Sequence, residues 1–462
     1  MNIQPDFVKE EQLQELSESF RLHNQLPPDL YTRYRIKRGL RNSDGTGVLV
    51  GATHLGNVHG YILNEGEREP IEGRLTYRGY NIYDLIHGLE REDRFGFEEI
   101  GYLLMCGELP TRRQLEEFQH VIGLERALPD NFTEDMIMRA PSRDIMNKLA
   151  SATLALYSYD SNPDATTVEN IMRQGISLTA KFPVIISHAY QAKRRYFDGA
   201  SMFLHVPDPE RSTAENILHL IRPDGKFTDD EAKLLDRCLI LHAEHGGGNN
   251  STFVCRALSS SGTDTYSAIA GAVGSLKGPL HGGANAKVMQ MFRDVKAHVD
   301  AKDDGSIRDY LVKILSREAG DRSGKIYGLG HAVYTLSDPR AVLLKKYAGH
   351  LAEIKGFADD FALLEKVETI GASLLQEKRR SDDPICANVD MYSGLVYHML
   401  GIPQEVFTPL FATARIAGWC ANRMEEVLTG NRIMRPAYRA VTIRNHYLPM
   451  DEREAHMALP EA

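Results

Sequence analysis

The 462-residue sequence has few cysteines, and they lie far apart. The five thiols form no Cys-x-x-Cys pair. Such scattered cysteines are typical of a protein from a reducing compartment, without structural disulfides or a cysteine-based zinc site. The first residues are acidic and contain neither the apolar stretch of a secretion signal nor the arginines of a transit peptide. We therefore expect a cytoplasmic protein.

Long apolar runs and an excess of positive charge are also missing. No segment approaches the roughly 20 consecutive apolar residues that a membrane-spanning helix needs. Acidic residues outnumber basic ones by 63 to 54, which gives a formal net charge of −9. A free-standing nucleic-acid-binding protein is usually basic because it must neutralise phosphates. We expect neither a membrane nor a nucleic acid as a partner, and the apolar share of 42% is that of a globular protein.

What the sequence does contain is mostly helical periodicity. A β-prone patch from Val48 to Leu63, interrupted by glycines, predicts one or two small hairpins. After Gly79, apolar residues recur every three or four positions between short loops, which is the spacing of amphipathic helices. No comparable series of alternating strands follows residue 65. The sequence therefore predicts a mostly helical fold with a small hairpin near the N-terminus.

Four helix ends can be placed from local signals. Thr228 and Glu231 have the spacing of a capping box, and a helix that follows should end at Gly246. A second helix should stop at Lys277, because Gly278 and Pro279 follow it. A third should begin at Asp338-Pro339-Arg340, with Asp as the cap and Pro at the first helical position.

Histidine and glycine are concentrated in three segments: His242-Ala-Glu-His245-Gly-Gly-Gly, Gly278-Pro-Leu-His281-Gly-Gly and Gly328-Leu-Gly330-His331. Glycines let the backbone approach a ligand closely. The spacing of His242 and His245 also occurs in metal sites, but no motif supplies a matched third ligand, so we expect no metal. A structural bond from His242 to a backbone carbonyl and ligand binding by His245 are the favoured alternatives.

One acid and three arginines complete the set of candidate residues. Asp390, in Asn388-Val-Asp390-Met-Tyr-Ser-Gly394, is either a catalytic carboxylate or a helix cap. Arg415 lies in an otherwise apolar helix and therefore needs an anionic partner. Together with Arg340 and Arg435 it fits a small polycarboxylate, because guanidinium groups bind carboxylates in a planar fork. A carboxylate base with histidine donors suits proton abstraction beside a carbonyl, and hence carbon–carbon bond formation.

Four segments resemble the citrate synthase family in order and spacing: GPLHGGAN, GLGHAVYTLSDPRA, NVDMYSG and FTPLFATARIAGW. Weaker similarity extends over EGRLTYRGYNIYDL, FEEIGYLLMCGELPT and HAEHGGGNNSTF, so the resemblance covers roughly residues 45–440. It implies an almost wholly α-helical fold with a large domain and a smaller inserted helical domain. We expect residues 1–284 and 396–462 to form the large domain and residues 285–395 the small one.

The resemblance also implies an activity and a homodimer with a shared active site. The chain would be an acyltransferase of the tricarboxylic acid cycle, converting the acyl group into an alkyl group on transfer. Acetyl-CoA would condense with oxaloacetate, and the citryl-CoA thioester would then be hydrolysed to citrate and CoA. Acetyl-CoA and oxaloacetate are both substrates, and the resemblance implies no cofactor.

Roles follow from the resemblance position by position. Asp390 corresponds to the base that removes a methyl proton of acetyl-CoA, and His281 to the donor at the thioester oxygen. His331 corresponds to the residue that polarises and protonates the oxaloacetate carbonyl. The oxaloacetate-binding set corresponds to His245, Arg340 and Arg415, and the arginine that reaches the neighbouring subunit's site to Arg435.

Two functional alternatives and one departure stay open. A 2-methylcitrate synthase, which uses propionyl-CoA, has the same motifs, because one extra methylene changes binding by only about 1–3 kcal/mol. A non-catalytic polycarboxylate- or CoA-binding protein would be expected to lack at least one catalytic residue. Many relatives have a basic residue near Tyr334 or Thr335 that helps to hold the CoA phosphates, whereas this segment, AVYTLS, is uncharged.

Overall fold

The structure is a computed structural model that describes residues 10–42, 46–65, 67–379, 384–430, 432–442 and 446–457. Contacts within the chain divide it into a terminal unit, residues 1–49 and 435–462, and a central unit, residues 50–434. Within the described ranges, no helix combines the length and apolar character needed to cross a bilayer.

The terminal unit contains short helices. These are α1 (Glu10–His23), α2 (Asp29–Arg33) and α18 (Met450–Met457), with a 3₁₀ turn at Arg38–Leu40. None of the side chains in α1 or α2 is buried.

The central unit begins with an antiparallel sheet and continues as helices, which confirms the predicted fold class. The strands are β1 (Gly56–Asn64), β2 (Glu67–Tyr77) and β3 (Tyr80–Asn81), in the order β1-β2-β3. The helices are α3 (Ile82–Glu92), α4 (Phe97–Cys106), α5 (Arg112–Leu124), α6 (Ile145–Leu156), α7 (Val168–Phe197), α8 (Thr213–Ile221), α9 (Asp229–His242), α10 (Asn250–Ser259), α11 (Thr265–Lys277), α12 (Ala284–His298), α13 (Asp304–Leu315), α14 (Pro339–Lys355), α15 (Ala358–Arg379), α16 (Asp390–Met399) and α17 (Phe407–Thr429).

The hairpin extends further than the sequence predicts. Its second strand runs to Tyr77, well past the β-prone patch that ends at Leu63. Leu75 and Tyr77 alternate with more exposed residues and are completely buried, so this end of the strand is held by core packing. A register shift between His59 and Tyr61 interrupts the pairing of β1 with β2.

Three of the four helix ends expected from the sequence are confirmed, whereas α9 ends at His242, before the expected Gly246. Thr228 caps α9 with a complete capping box to Glu231. Helix α11 ends at Lys277. Asp338 caps α14 through its side chain, with Pro339 as the first helical residue. Side-chain caps satisfy amide groups that the first helical turn leaves unpaired, so these ends depend on local chemistry.

Helix α17 forms the centre of the core. Its side chains are buried without interruption from Pro409 to Met424, and it packs against α4, α7, α9, α10 and α11. A helix that is enclosed on all sides can carry polar residues only where partners satisfy them. The polar residues of α17 therefore mark places where it contributes to a site.

The expected division into a large and a small domain stays a prediction. The first boundary, at residues 284 and 285, falls at the beginning of α12, and the second, after residue 395, falls within α16.

Candidate active site

The His331 loop, residues 328–338, is attached to the segment that leads into α16. Gly330 N–H donates to the Cys386 carbonyl (2.8 Å), and Asn388 N–H donates to the Gly328 carbonyl (2.9 Å). Gly328 has φ +87°, and a Cβ there would lie 2.6 Å from Met391 Sδ. Only glycine tolerates both the left-handed backbone and this approach. The loop of His331 and the start of α16 are therefore held together.

The imidazole of His331 has a defined tautomer. The backbone N–H groups of Val333 and Tyr334 both donate to its Nδ1, each over 3.1 Å. A nitrogen that accepts hydrogen bonds carries no proton, so in the neutral ring the proton is on Nε2. The ring stacks on Tyr334, with centroids 4.7 Å apart. His331 therefore presents Nε2–H as a hydrogen-bond donor.

His245 lies beside His331, with ring centroids 5.1 Å apart in an edge-on arrangement. Its Nε2 is buried and has no hydrogen-bond partner in the part of the chain that the structure describes. Burial lowers the pKa of His245 well below its usual value, and the positive charge of Arg340 lowers it further. The ring is therefore neutral, and Nε2 is available to a ligand.

His281 lies in the turn between α11 and α12 and contacts Ser251. The Ser251 backbone N–H donates to His281 Nε2 (3.3 Å), and the Ser251 hydroxyl lies 3.0 Å from the same nitrogen. Nε2 is therefore an acceptor, and Nδ1 carries the proton of the neutral ring. Burial lowers the pKa of His281 to about 4, with a further contribution from the charge of Arg415. His281 thus offers a neutral N–H donor at physiological pH.

Arg340 is buried in a bidentate pair with the residue that caps its own helix. Its Nε donates to Asp338 Oδ1 (3.0 Å) and its Nη2 to Asp338 Oδ2 (2.7 Å). Burial opposes the charge, but the Asp338 carboxylate outweighs it and raises the pKa of Arg340. Arg340 therefore stays charged in the interior.

Arg415, on α17, is completely buried, yet only one of its nitrogens is paired within the described residues. Its Nε donates to the His242 carbonyl (2.6 Å), whereas both Nη atoms have no partner. Gly418 lets α17 approach this segment, because a Cβ there would lie 2.3 Å from the Ala243 oxygen. Burial lowers the pKa of Arg415 to about 10, which still leaves it charged at neutral pH. Two unpaired Nη groups form a fork for a carboxylate.

His242 has the structural role that the sequence favoured. Its Nδ1 lies 2.8 Å from the Cys238 carbonyl, one helical turn earlier, and its ring packs against Phe411. Burial lowers the pKa of His242 to about 3, so it is neutral. In the part of the chain that the structure describes, no three histidine, cysteine or acidic side chains converge as a metal ion would require.

Asp390 is the first residue of α16 and follows the N-cap residue Val389, which makes no side-chain capping bond. It is largely buried, and its Oδ1 has no partner among the described atoms. Burial raises the pKa of Asp390 to about 7, although the charge of Arg340 opposes this shift. A carboxylate with that pKa is a stronger base than an exposed aspartate and is still half ionised near neutral pH.

The hairpin holds the His331 loop from the other side. Gly73 N–H donates to Ser337 Oγ (3.1 Å), and Arg68 Nη2 donates to the Val333 carbonyl (3.2 Å). The Ser337 hydroxyl in turn donates to the Glu72 carboxylate. These contacts explain why an otherwise helical protein keeps a long hairpin beside its histidine loop.

Six of the seven candidate residues belong to one site in the central unit: His245, His281, His331, Arg340, Asp390 and Arg415. The seventh, Arg435, is an exposed residue of the terminal unit. Sequence reasoning missed Ser251 and Tyr334, which orient the histidines. It also missed Glu244, a fully buried acid whose Oε2 accepts a bond from Asn422 (2.9 Å). Burial raises the pKa of Glu244, and the charge of Arg415 opposes this shift.

The site combines an unpartnered base, two oriented N–H donors and a carboxylate-binding fork. The N–H group of a neutral imidazole can donate a hydrogen bond to a developing oxyanion and so stabilise it. A base with a raised pKa can remove a proton next to a carbonyl. This combination fits enolisation of one substrate beside a bound polycarboxylate.

Comparison with known proteins gives the family. A family model described as "Citrate synthase, C-terminal domain" matches residues 39–437. The chain belongs to the citrate synthase family. Enzymes of this family transfer acyl groups, and the chain is therefore an acyltransferase.

The relatives in this family carry two names. A citrate synthase from Synechocystis sp. is 34% identical over 393 residues, which cover 84% of this chain and 91% of the relative. A 2-methylcitrate synthase from Shewanella oneidensis is also 34% identical, over 368 residues that cover 79% of this chain and 87% of the relative. Overall identity therefore does not separate the two activities.

A solved structure supports the fold. The citrate synthase of Thermoplasma acidophilum, in a ternary complex with carboxymethyl coenzyme A and oxaloacetate, superimposes with a TM-score of 0.74 at 25% sequence identity. The match covers 90% of this chain and 99% of that structure.

Proposed function

We propose that this protein is a citrate synthase, which condenses acetyl-CoA with oxaloacetate and hydrolyses citryl-CoA to citrate and CoA. The observation that carries the proposal is that, among the described residues, both Nη atoms of Arg415 and Oδ1 of Asp390 are buried in one site without hydrogen-bond partners. Both groups lack partners that a substrate would supply. Unsatisfied buried polar groups cost stability, so their presence in one site indicates a function.

Oxaloacetate binds through its carboxylates in this proposal. The two Nη groups of Arg415 receive one carboxylate, while the guanidinium of Arg340, which is paired with Asp338, and His245 Nε2 supply further polar contacts. Arg340 keeps its bond to Asp338, which fixes the direction of its guanidinium. This fork is expected to select dicarboxylates over monocarboxylates, because a single carboxylate would satisfy only part of the site.

Asp390 starts the reaction by taking a proton from the methyl group of acetyl-CoA. The electrons of the broken C–H bond move into an enolate, whose oxygen accepts a hydrogen bond from His281 Nδ1–H. A thioester methyl is far less acidic than a carboxyl group, so a base alone is insufficient. Each positioned donor of this kind contributes roughly 3–4 kcal/mol to the transition state.

The enolate carbon then attacks the ketone carbon of oxaloacetate. His331 Nε2–H polarises the ketone oxygen and gives its proton to the alkoxide, which leaves citryl-CoA. The proton that Asp390 took from the methyl group balances the one that His331 has lost, and its return through water restores both residues. Water adds to the thioester carbonyl, and CoA leaves as the thiol. No cofactor enters any of these steps, and none is included in the proposal.

The second candidate activity is 2-methylcitrate synthesis from propionyl-CoA, which the name of the Shewanella oneidensis relative favours. Measuring the release of free thiol from both thioesters at saturating oxaloacetate distinguishes the two activities. A higher kcat/KM for acetyl-CoA supports citrate synthase, and a higher value for propionyl-CoA supports the alternative. Oxaloacetate binding without thiol release from either would contradict both and favour a non-catalytic binding protein.

Three further expectations complete the proposal. The enzyme is a cytoplasmic homodimer, and Arg435 reaches the active site of the neighbouring subunit; its exposure is compatible with this role. Residues 285–395 form a small domain that closes over the substrates. The CoA phosphates are held by basic residues outside the AVYTLS segment, and the candidates are Lys277, Lys325 and the basic run from Arg33 to Arg41. Lys277 is a weaker candidate because it forms an ion pair with Asp144 (3.4 Å).

A further inference from the structure

Trp419 is the only tryptophan of the chain, and it lies completely buried on α17. Its indole N–H donates to the hydroxyl oxygen of Ser251 over 3.2 Å. The two residues are 168 positions apart in sequence. The bond therefore connects α17 with the first turn of α10, where Ser251 contacts His281.

The Ser251 hydroxyl has three polar neighbours, but only one of them is always a donor. These neighbours are Trp419 Nε1, Asn249 Oδ1 (2.9 Å) and His281 Nε2 (3.0 Å). An indole nitrogen can only donate, so Ser251 Oγ accepts from Trp419. Its own hydrogen is donated to Asn249 Oδ1, and His281 Nε2 lies 3.0 Å from the same hydroxyl oxygen. The Ser251 N–H also points to His281 Nε2, which keeps that nitrogen unprotonated.

We propose that Trp419 is a positioning residue, which through Ser251 holds the His281 imidazole in the tautomer that presents Nδ1–H to the substrate. The inference rests on the proposed function, because it assigns His281 to the thioester oxygen. Trp419 itself would touch no reacting atom. Its contribution is the indole N–H, not only the bulk of the ring.

The arrangement of α17 supports this assignment. Arg415, Trp419 and Asn422 follow each other at helical spacing on one face, and each bonds to the segment 242–256. Arg415 bonds to the His242 carbonyl and Asn422 to Glu244. Three successive contacts therefore hold the segment that carries His245 and Ser251. Binding of a carboxylate by Arg415 and orientation of His281 through Ser251 therefore both depend on α17.

A double-mutant cycle tests the pathway through Ser251. Trp419→Phe keeps an aromatic ring but removes the N–H, and we expect kcat to fall about 3- to 10-fold, the range for loss of one hydrogen bond. The KM for oxaloacetate should stay unchanged, because Arg415 is untouched. Ser251→Ala should lower kcat as well. If Trp419 acts through Ser251, the double variant is no slower than Ser251→Ala alone.

A shape-matched replacement separates the N–H from packing. Because Trp419 is the only tryptophan, an analogue supplied in place of tryptophan changes no other position. A benzothienylalanine at 419 keeps the bicyclic shape without the N–H, and 5-fluorotryptophan keeps both. The first should reproduce the loss in kcat, and the second should retain wild-type kcat. The two analogues also test the role of the indole N–H if the Trp419→Phe protein does not fold.

Phe407→Leu is the matched control for lost aromatic packing. Phe407 is also buried on α17, and its ring contacts Tyr397 with centroids 5.3 Å apart. We expect this variant to melt at a lower temperature and to keep the wild-type kcat.

The possible outcomes separate this inference from the proposed function. If the wild-type protein does not condense either thioester, the proposed function fails. If the wild type is active but benzothienylalanine leaves kcat unchanged, the positioning role is refuted. Multiplicative losses in the double variant would equally refute a pathway through Ser251. An equal drop in kcat for Phe407→Leu would assign the effect to packing.

Discussion

Arg415 and Arg423 offer a test of whether the unpaired guanidinium belongs to the substrate. Both are fully buried on α17, two turns apart. The nitrogens of Arg423 bond to Thr265 (3.0 Å), Ser259 (3.1 Å) and the Thr263 carbonyl (2.6 Å), whereas Arg415 has the single bond to His242. Replacing each arginine by methionine removes the charge and keeps much of the volume.

The expected changes have opposite signs. Burial lowers the pKa of Arg415 from 12.5 to about 10, and at 1.36 kcal/mol per unit this corresponds to a cost of about 3 kcal/mol for the charged form. The pKa of this base is lower in the folded state, so the cost is fully present at pH 7, begins to fall as pH rises through about 10, and is gone only above 12.5. Loss of the bond to the His242 carbonyl offsets roughly 2 kcal/mol of the gain. Arg415→Met should therefore raise the free energy of unfolding by about 1 kcal/mol.

Arg423→Met should instead lower the free energy of unfolding by about 3–5 kcal/mol, because three satisfied contacts are broken in the interior. Denaturant unfolding of the wild type and both variants, each with and without oxaloacetate, measures these differences. Oxaloacetate should stabilise the wild type but not Arg415→Met. A loss of several kcal/mol in Arg415→Met, similar to that of Arg423→Met, would refute the reasoning, because Arg415 would then be a structural residue.

Three other predictions concern the base, the partner subunit and the loop. Because the pKa of Asp390 is about 7, kcat/KM for the acyl-CoA should rise with pH up to about 7 and should fall about tenfold for each pH unit below it. A flat profile from pH 5 to 8 would contradict the role of Asp390 as the base. Asp390→Ala and Arg435→Ala should each be inactive, yet a mixed and reassociated sample should recover about a quarter of wild-type turnover if Arg435 serves the partner's site. No recovery in verified heterodimers would count against a shared site. Gly328→Ala should lower stability by about 1–3 kcal/mol, because φ is +87° and the Cβ would meet Met391; melting at the wild-type temperature would contradict this strain.

Local chemistry is what the sequence predicts well. The caps at Thr228 and Asp338 and the end of α11 at Lys277 depend on residues within one or two turns, and the structure confirms them. The sequence does not predict the second strand of the hairpin, which lies beyond Leu63. Its buried residues pack against parts of the chain that are distant in sequence, so no local pattern indicates them. Leu75 and Tyr77 read as strand residues only when the core against which they pack is known.

The sequence predicts the chemical groups of the site, but not their tautomers or their protonation states. Histidine, aspartate and arginine in glycine-rich segments identify the chemistry. Their tautomers and pKa values depend on partners from other parts of the chain, such as Ser251 for His281. The pKa of Asp390 is raised mainly by burial, which no local pattern reveals.

The charge balance of the site indicates that binding of a dianion changes the base strength of Asp390. Arg340 already has a counter-ion in Asp338, so its pair contributes no net charge. Arg415 adds one positive charge, and Asp390 is half ionised because its pKa is about 7. A dicarboxylate at Arg415 would therefore bring an excess of negative charge close to Asp390. That excess of negative charge raises the pKa of Asp390 further, which makes its carboxylate a stronger base towards the C–H bond. At a given pH, a smaller fraction of Asp390 is then ionised. Oxaloacetate binding and base strength are coupled in this way, and the pH at which kcat is half-maximal should exceed the corresponding value for kcat/KM of free enzyme.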